Sequence, residues 1–167
     1  MLPTGTAKKL TDEQIARFHD QGYLVVEDVL SDADLQPAID DVQEYIDRRA
    51  AELVEAGELS RDYDELDFEH RLAAISRETD RIANEMWNGT LHGPGFFSLI
   101  TNPRLLDVAE SLCGEELVAS SVYRLRPKIP TSNKSAVPWH QDSGYFEPYC
   151  DEALVLTVWL PLVDANE

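Results

Sequence analysis

The sequence predicts an α+β fold, with a helical N-terminal part over residues 1–114 and the opening strands of a sheet over residues 115–167. Apolar residues recur every three to four positions until Gly114, as on one face of a helix. Beyond Gly114 they recur every second position, as on one face of a strand. The 167 residues, of which 43% are apolar, suffice for a single domain with a hydrophobic core.

The first helix is predicted to begin after Thr11. Thr11 is a typical N-cap residue, and Gln14 stands three residues later, where it completes a capping box. Leu10 and Ile15 flank this start as a hydrophobic staple, and Gly22 ends the helix.

A short strand is predicted at residues 23–27, where β-forming residues are concentrated. Ser31 then opens a second helix, whose apolar stripe continues to Gly57. Pro37 falls in the first turns of this helix or marks a restart. The stripe consists of Ile39, Val42, Ile46 and Leu53.

Residues 58–67 are mostly acidic and lack a period, so they are predicted to form a loop. A third amphipathic helix is predicted over residues 68–86 and a glycine-rich loop over residues 88–95. A last helix follows, with Asn102 as its N-cap and Pro103 at its first position. Strands are predicted at residues 118–127, 138–145 and 153–160.

The net charge of -18 argues against nucleic acids and anionic membranes as partners, because both bind basic surfaces. No apolar run approaches the ~20 residues of a membrane span, and the first residues lack the apolar core of a signal peptide. The chain is therefore expected in the cytoplasm. Cys113 and Cys150 fit this expectation as reduced thiols that are buried as small hydrophobic residues.

Positive charge is concentrated in residues 117–141, which contain no acidic residue. The basic residues of this window are Arg124, Arg126, Lys128 and Lys134. Such a stretch is most simply a solvated surface, but beside a metal site it would also attract an anionic substrate or cosubstrate.

The tripeptide His-Gln-Asp at residues 140–142 is the candidate metal site of the sequence. In an extended segment, side chains two residues apart share a face, with their anchors ~7 Å apart. The imidazole of His140 and the carboxylate of Asp142 then reach one metal ion, each at ~2.0–2.2 Å. They would supply two of the three ligands of a two-His-one-carboxylate Fe(II) site. On the tripeptide alone, a hydrogen-bonded structural pair is more common than a metal site.

Five segments around and ahead of the tripeptide form a specific combination. Three of them are Tyr-Arg-Leu-Arg-Pro-Lys at 123–128, Trp-His-Gln-Asp-Ser-Gly-Tyr at 139–145 and Leu-Thr-Val-Trp-Leu-Pro-Leu-Val-Asp-Ala at 156–165. The others are Leu-Thr-Asp-Glu-Gln at 10–14 and Gly-Tyr-Leu-Val-Val-Glu-Asp-Val-Leu-Ser at 22–31. Together they resemble the phytanoyl-CoA dioxygenase family of Fe(II)- and 2-oxoglutarate-dependent oxygenases, over nearly the whole chain.

The resemblance implies a double-stranded β-helix, or jelly roll, wrapped by the N-terminal helices. It implies that His140 and Asp142 bind Fe(II) and that 2-oxoglutarate is the cosubstrate. Trp159 matches a position that lies against 2-oxoglutarate in several members, and Thr157 shares its face. Core packing in a strand is an equally good interpretation of both residues. The basic residues that border the cosubstrate in relatives, among which the sequence does not choose, are Arg124, Arg126 and Lys128.

The chain departs from the family pattern after the last predicted strand. Relatives continue with the distal iron-binding His and with the Arg that pairs with the far carboxylate of 2-oxoglutarate, and neither follows here. The chain is therefore expected to be the N-terminal portion of an oxygenase domain, with weak metal binding and little turnover by itself. The other histidines are upstream. Of His19, His70 and His92, only His92 is a candidate third ligand, and an exposed loop histidine is its simpler interpretation.

In the complete domain, the resemblance implies hydroxylation of a small-molecule or acyl-type substrate, coupled to oxidative decarboxylation of 2-oxoglutarate. A carboxylate at Asp142 favours hydroxylation over halogenation, which needs an open position for halide. Two other classes remain open. One is a non-catalytic module that dimerises or pairs with another chain through an exposed strand edge. The other is a metal hydrolase or a zinc-binding cupin, since His and Asp also bind Zn(II) and Mn(II).

Overall fold

The computed structural model describes residues 9–89, 91–120, 123–130, 137–138 and 140–165. Within them the regular structure is helical, with six α-helices and two short 3-10 helices. Trp139 and Lys134, which belong to the tripeptide's surroundings in the sequence, lie outside the described residues.

Helix α1, Asp12–Gln21, begins and ends as predicted. The hydroxyl of Thr11 accepts the N–H of Gln14 at 3.2 Å, and the side chain of Gln14 accepts the N–H of Thr11 at 2.9 Å. Gly22 ends the helix with a φ of 78°, a left-handed conformation that glycine adopts without strain.

Residues 23–27 do not form the predicted strand. Tyr23 and Val25, two of the β-forming residues that suggested it, are both exposed. A strand gains its stability by packing a face and pairing its backbone, and these side chains have no surface to pack on.

Helix α2, Asp32–Glu55, is the central helix of the protein. Its start is capped as the sequence predicts, because the carboxylate of Asp34 accepts the N–H of Ser31 at 2.7 Å. Pro37 lies inside the helix without breaking it. The buried face of α2 consists of Ala38, Val42, Tyr45, Ile46, Ala50 and Leu53.

The helix predicted over residues 68–86 is in fact two helices, α3 at Phe68–Ile75 and α4 at Arg81–Trp87. Between them, Glu78 reaches back to the acidic loop at residues 58–67. Its carboxylate accepts both the N–H and the hydroxyl of Ser60, at 2.9 and 2.7 Å. The apolar residues on the two sides of the break keep the spacing of one continuous helix. The periodicity of the sequence therefore does not predict the turn between α3 and α4.

Helix α5, Pro94–Ile100, begins at the end of the loop predicted over residues 88–95 and continues through residues for which the sequence predicts no element. Asp41 of α2 caps it by accepting the N–H groups of Gly95 and Phe96 at 2.7 and 3.2 Å. A Cβ on Gly95 would clash with the backbone carbonyl of Pro37, so only glycine lets α5 approach α2 this closely.

Helix α6, Pro103–Cys113, begins as predicted at Asn102, whose side chain accepts the N–H of Arg104 at 3.0 Å. The same cap is tied to the start of α2. Asn102 donates to Asp34 at 3.1 Å, and Arg104 forms an ion pair with the same carboxylate.

The hydrophobic core surrounds α2. Besides the buried face of that helix, it contains Leu59, Ile75, Ile82, Met86, Leu91, Phe96 and Leu99. The C-terminal part of the chain covers one side of this core through partly buried side chains, which include Tyr123, Leu125, Leu160 and Leu162.

The predicted sheet is wrong. In the described parts of residues 115–130 and 153–165, no backbone ladder and no strand is present, and residues 142–145 form a 3-10 helix instead of a strand. The α+β, jelly-roll class inferred from the sequence is therefore replaced by a helical fold with irregular C-terminal segments. A period of two shows which side chains face the same way, but a strand also needs a partner for its backbone hydrogen bonds.

Candidate active site

Both ring nitrogens of His140 lie near an oxygen atom. Nδ1 is 2.8 Å from the backbone oxygen of Pro138, and Nε2 is 3.2 Å from Oδ1 of Asp142. Because a carbonyl oxygen only accepts, Nδ1 carries a proton and donates it to Pro138. The other ring nitrogen, Nε2, faces the carboxylate. It either carries a second proton, which makes the ring cationic, or presents a lone pair, which leaves the ring neutral.

A lone pair on Nε2 would repel the carboxylate oxygen unless a cation lay between them. Two atoms that bind one ion at right angles, each at ~2.1 Å, are ~3.0 Å apart. The observed separation of 3.2 Å is close to this value, and it also equals that of a hydrogen bond donated by a second proton on Nε2. A ring N–H donated to a backbone carbonyl is also the usual support of a metal-binding His. The donor types and their spacing therefore fit a divalent metal ion.

Asp142 is the first residue of the 3-10 helix Asp142–Tyr145. Its Oδ1 faces His140, whereas its Oδ2 accepts a hydrogen bond from the hydroxyl of Thr157. The Tyr145 ring packs edge-on against the imidazole, with 5.8 Å between centroids. The side chains of His140 and Asp142 are 39% and 38% exposed, so ions in solution have access to the pair.

Two basic side chains lie on the ring of Trp87, at the end of α4. The guanidinium of Arg126 is 4.2 Å from the ring centroid and donates to the Trp87 backbone oxygen at 3.3 Å. Lys128 Nζ is 6.0 Å from the same centroid. Burial lowers the pKa of Arg126, as does the charge of Arg124, whereas the charge of Asp142 raises it.

Trp159 and Thr157 differ in their contacts with the His140 and Asp142 pair. Thr157 contacts Asp142 directly, whereas the Trp159 side chain is 66% exposed. Thr157 is also exposed, so neither residue packs in a core as the alternative interpretation of the sequence required.

A third metal ligand does not join the pair in the part of the chain that the structure describes, where no group of three His, Cys, Asp or Glu could hold an ion. His92 Nδ1 is instead 2.8 Å from the Tyr123 hydroxyl. His70 pairs with Asp67 at the start of α3, at 2.6 Å. His19 lies on α1.

Three contributors to the site are missing from the sequence prediction: the Pro138 carbonyl, the Tyr145 ring and the Trp87 ring. Pro138 and Tyr145 lie within a few residues of the tripeptide, and that proximity is the only signal they carry. Trp87 and Arg126 are 39 positions apart, and nothing in the sequence links them.

An imidazole and a carboxylate that converge in this way are typical ligands of metal-dependent enzymes. Residues 18–167 match the family model described as Phytanoyl-CoA dioxygenase (PhyH). Because this match covers most of the chain, the protein belongs to the phytanoyl-CoA dioxygenase family, which confirms the resemblance. The family supports an oxygenase function and in general depends on Fe(II) and 2-oxoglutarate.

Comparisons with curated proteins and with solved structures gave no significant match. Among the described residues, no helix is both long enough and apolar enough to cross a membrane.

Proposed function

We propose that this chain supplies two metal ligands to an Fe(II)- and 2-oxoglutarate-dependent dioxygenase, whose complete domain hydroxylates a small-molecule or acyl-type substrate. The observation that carries this proposal is the pair formed by His140 Nε2 and Asp142 Oδ1, at a separation suited to adjacent ligands of one ion. When bound, Fe(II) with O2 and 2-oxoglutarate supplies the oxidising chemistry: a substrate C–H becomes C–OH, and 2-oxoglutarate becomes succinate and CO2.

The protein groups have distinct roles in this proposal. His140 and Asp142 hold the metal, and the Pro138 carbonyl keeps the imidazole oriented toward it. Arg126 and Lys128 attract a carboxylate of 2-oxoglutarate, because both are cationic and lie together on the Trp87 ring.

Trp159 offers its exposed ring to the same cosubstrate. The remaining position that the family resemblance assigned to the cosubstrate, Thr157, contacts Asp142 instead.

The direct test is to add Fe(II) and millimolar 2-oxoglutarate to the purified chain without oxygen and to record the visible charge-transfer band of a chelated 2-oxo acid. We expect a band in the natural chain and its loss in His140→Ala and Asp142→Ala. His70→Ala, at an exposed histidine of α3, is the matched control and should keep the band.

Absence of the band in the natural chain, or its persistence in His140→Ala, would contradict the proposal. Metal analysis and a succinate assay on admission of oxygen separate this oxygenase from a zinc-dependent hydrolase, which forms no succinate.

A second function, a non-catalytic module that binds a second copy of the chain, is favoured by exposed apolar side chains near residues 153–163. Leu154, Val158 and Val163 are all exposed there. The mass in solution, measured by light scattering over a range of concentrations, tests this function. A dimer that dissociates in the double variant Leu154→Ser, Val158→Ser would support it, and a monomer at every concentration would exclude it.

The partner that we propose is a small molecule rather than a nucleic acid or a membrane surface, because the net charge is -18. We also propose a cytoplasmic location. Cys113 and Cys150 support it, since both are free thiols and cytosolic proteins keep their cysteines reduced.

A further inference from the structure

Thr157 and Asp142 are 15 residues apart in sequence and are joined by a side-chain hydrogen bond. The hydroxyl of Thr157 donates to Oδ2 of Asp142. An ionised carboxylate only accepts hydrogen bonds, so the direction of this bond is fixed.

This hydrogen bond gives the two carboxylate oxygens of Asp142 different roles. A free aspartate rotates broadly about its last torsion and offers either oxygen, or both, to an ion. Here Oδ2 is engaged by Thr157, and Oδ1 is the oxygen that lies 3.2 Å from Nε2 of His140. The carboxylate therefore presents one defined oxygen beside the imidazole.

The other interpretations of Thr157 do not account for its position. Its side chain is exposed, so core packing does not explain it. A hydroxyl has a single proton, and Asp142 uses that proton, so Thr157 does not donate to a cosubstrate oxygen at the same time.

We infer that Thr157 is a positioning residue, which holds Asp142 so that one carboxylate oxygen binds the metal. This inference rests on the proposed function, because it requires His140 and Asp142 to bind an ion. Hydrogen-bond partners that orient a ligand typically change metal affinity by ~10–100-fold when they are removed.

The test uses Co(II) alone, titrated into the full chain and followed by its visible absorption spectrum. Thr157→Val keeps the shape of the side chain and removes the hydroxyl, whereas Thr157→Ser keeps the hydroxyl. We expect Co(II) binding to weaken ~10–100-fold in Thr157→Val, with an altered spectrum. Thr157→Ser should keep the spectrum and an affinity close to that of the natural chain.

Two further variants make this comparison specific. Thr101→Val removes a hydroxyl that bonds only within its own helix, to the Phe97 carbonyl at 2.8 Å, and should leave Co(II) affinity unchanged. Thr157→Ala is a second variant without the hydroxyl. It should lose affinity as Thr157→Val does, which shows that the β-branched shape of valine is not the cause.

The outcomes separate the inference from the function on which it rests. Unchanged Co(II) affinity in Thr157→Val and Thr157→Ala, or an equal loss in Thr157→Ser, overturns the role of Thr157 while the metal pair stands. A natural chain that binds no Co(II), or a His140→Ala chain that binds it equally well, overturns the metal pair and the role of Thr157 together.

Discussion

The groups that orient the two candidate ligands are both uncharged. The Pro138 carbonyl accepts the Nδ1 proton of His140 at 2.8 Å, and the Thr157 hydroxyl donates to Asp142. Each holds its ligand by a single directional hydrogen bond. At the scale of single residues, neutral neighbours therefore orient the candidate metal-binding atoms, and the two ligands alone do not determine that orientation.

Asp34 is the residue whose protonation we expect to matter most for acid stability. Hydrogen bonds from the side chain and backbone of Ser31, and further ones from Arg104 and Asn102, lower its pKa from 3.8 to about 2. Because the pKa is lower in the folded state, the carboxylate stabilises the fold above about pH 4, and this stabilisation is lost as the pH falls toward 2. We expect Asp34→Asn to cost about 1–2 kcal/mol at pH 7.

Urea denaturation of the Asp34→Asn chain at several pH values between 7 and 2.5 measures this effect. The variant should lose less stability than the natural chain as the pH falls, because its side chain does not titrate. Asp20→Asn, at an exposed position on α1, is the matched control. Parallel acid profiles for the natural chain and Asp34→Asn would show that Asp34 does not contribute.

Single residues were predictable where their chemical type alone carried the information. His140 and Asp142 stand out in the sequence because an imidazole and a carboxylate two positions apart suit a metal, and the structure brings them together. Pro138 contributes a backbone carbonyl, which has no side-chain signal. The family resemblance predicts Thr157 beside the cosubstrate, whereas its contact with Asp142 spans 15 positions and depends on the fold, so the sequence carries no signal of it.

At the scale of elements, helices α2 and α5 approach each other most closely at Gly95. A Cβ on Gly95 would clash with the Pro37 carbonyl and the adjacent N–H of Ala38. Replacing glycine by alanine inside a helix normally stabilises by ~0.5–1 kcal/mol. Overpacking costs ~1–3 kcal/mol, so we expect Gly95→Ala to destabilise the protein.

The test is whether Gly95→Ala lowers or raises the free energy of unfolding, measured by urea denaturation. Gly144→Ala is the control, because a Cβ there meets no atom within 4 Å. We expect the control to be neutral within ~0.5 kcal/mol. A Gly95→Ala chain as stable as the natural one would show that α5 moves away from α2 at little cost.

Helix ends were predictable from the sequence because they are local. The Thr11 and Asn102 caps each involve residues within a single turn, and both are present as predicted. Helix α5 was missed because its cap is supplied by Asp41, from a different helix. The predicted strands failed for the same reason, since a strand exists only through its partner.

At the scale of the whole molecule, we expect backbone stability to be uneven along the chain. Helix α2 is surrounded by the core, whereas the described residues of 115–130 and 154–165 belong to no helix and no ladder. Amide hydrogens without a backbone partner exchange rapidly with solvent. Hydrogen exchange followed by mass spectrometry should therefore show slow exchange in α2 and fast exchange in both C-terminal segments.

Protection of residues 154–165 comparable with that of α2 would contradict this expectation and would indicate backbone pairing. Repeating the exchange at high dilution identifies the partner. Protection that disappears on dilution comes from a second copy of the chain, and protection that persists comes from the same chain.

The close approach of Gly95 to Pro37 also determines when the core closes during synthesis. Helix α2 is complete at Glu55, but α5, the last helix that contributes buried residues to its core, ends at Ile100. At ~5–20 residues per second on the ribosome, the 45 intervening residues (100 minus 55) take about 2–9 s. During that time the apolar face of α2 is exposed on a growing chain. We therefore expect nascent-chain chaperones to engage this protein mainly at α2.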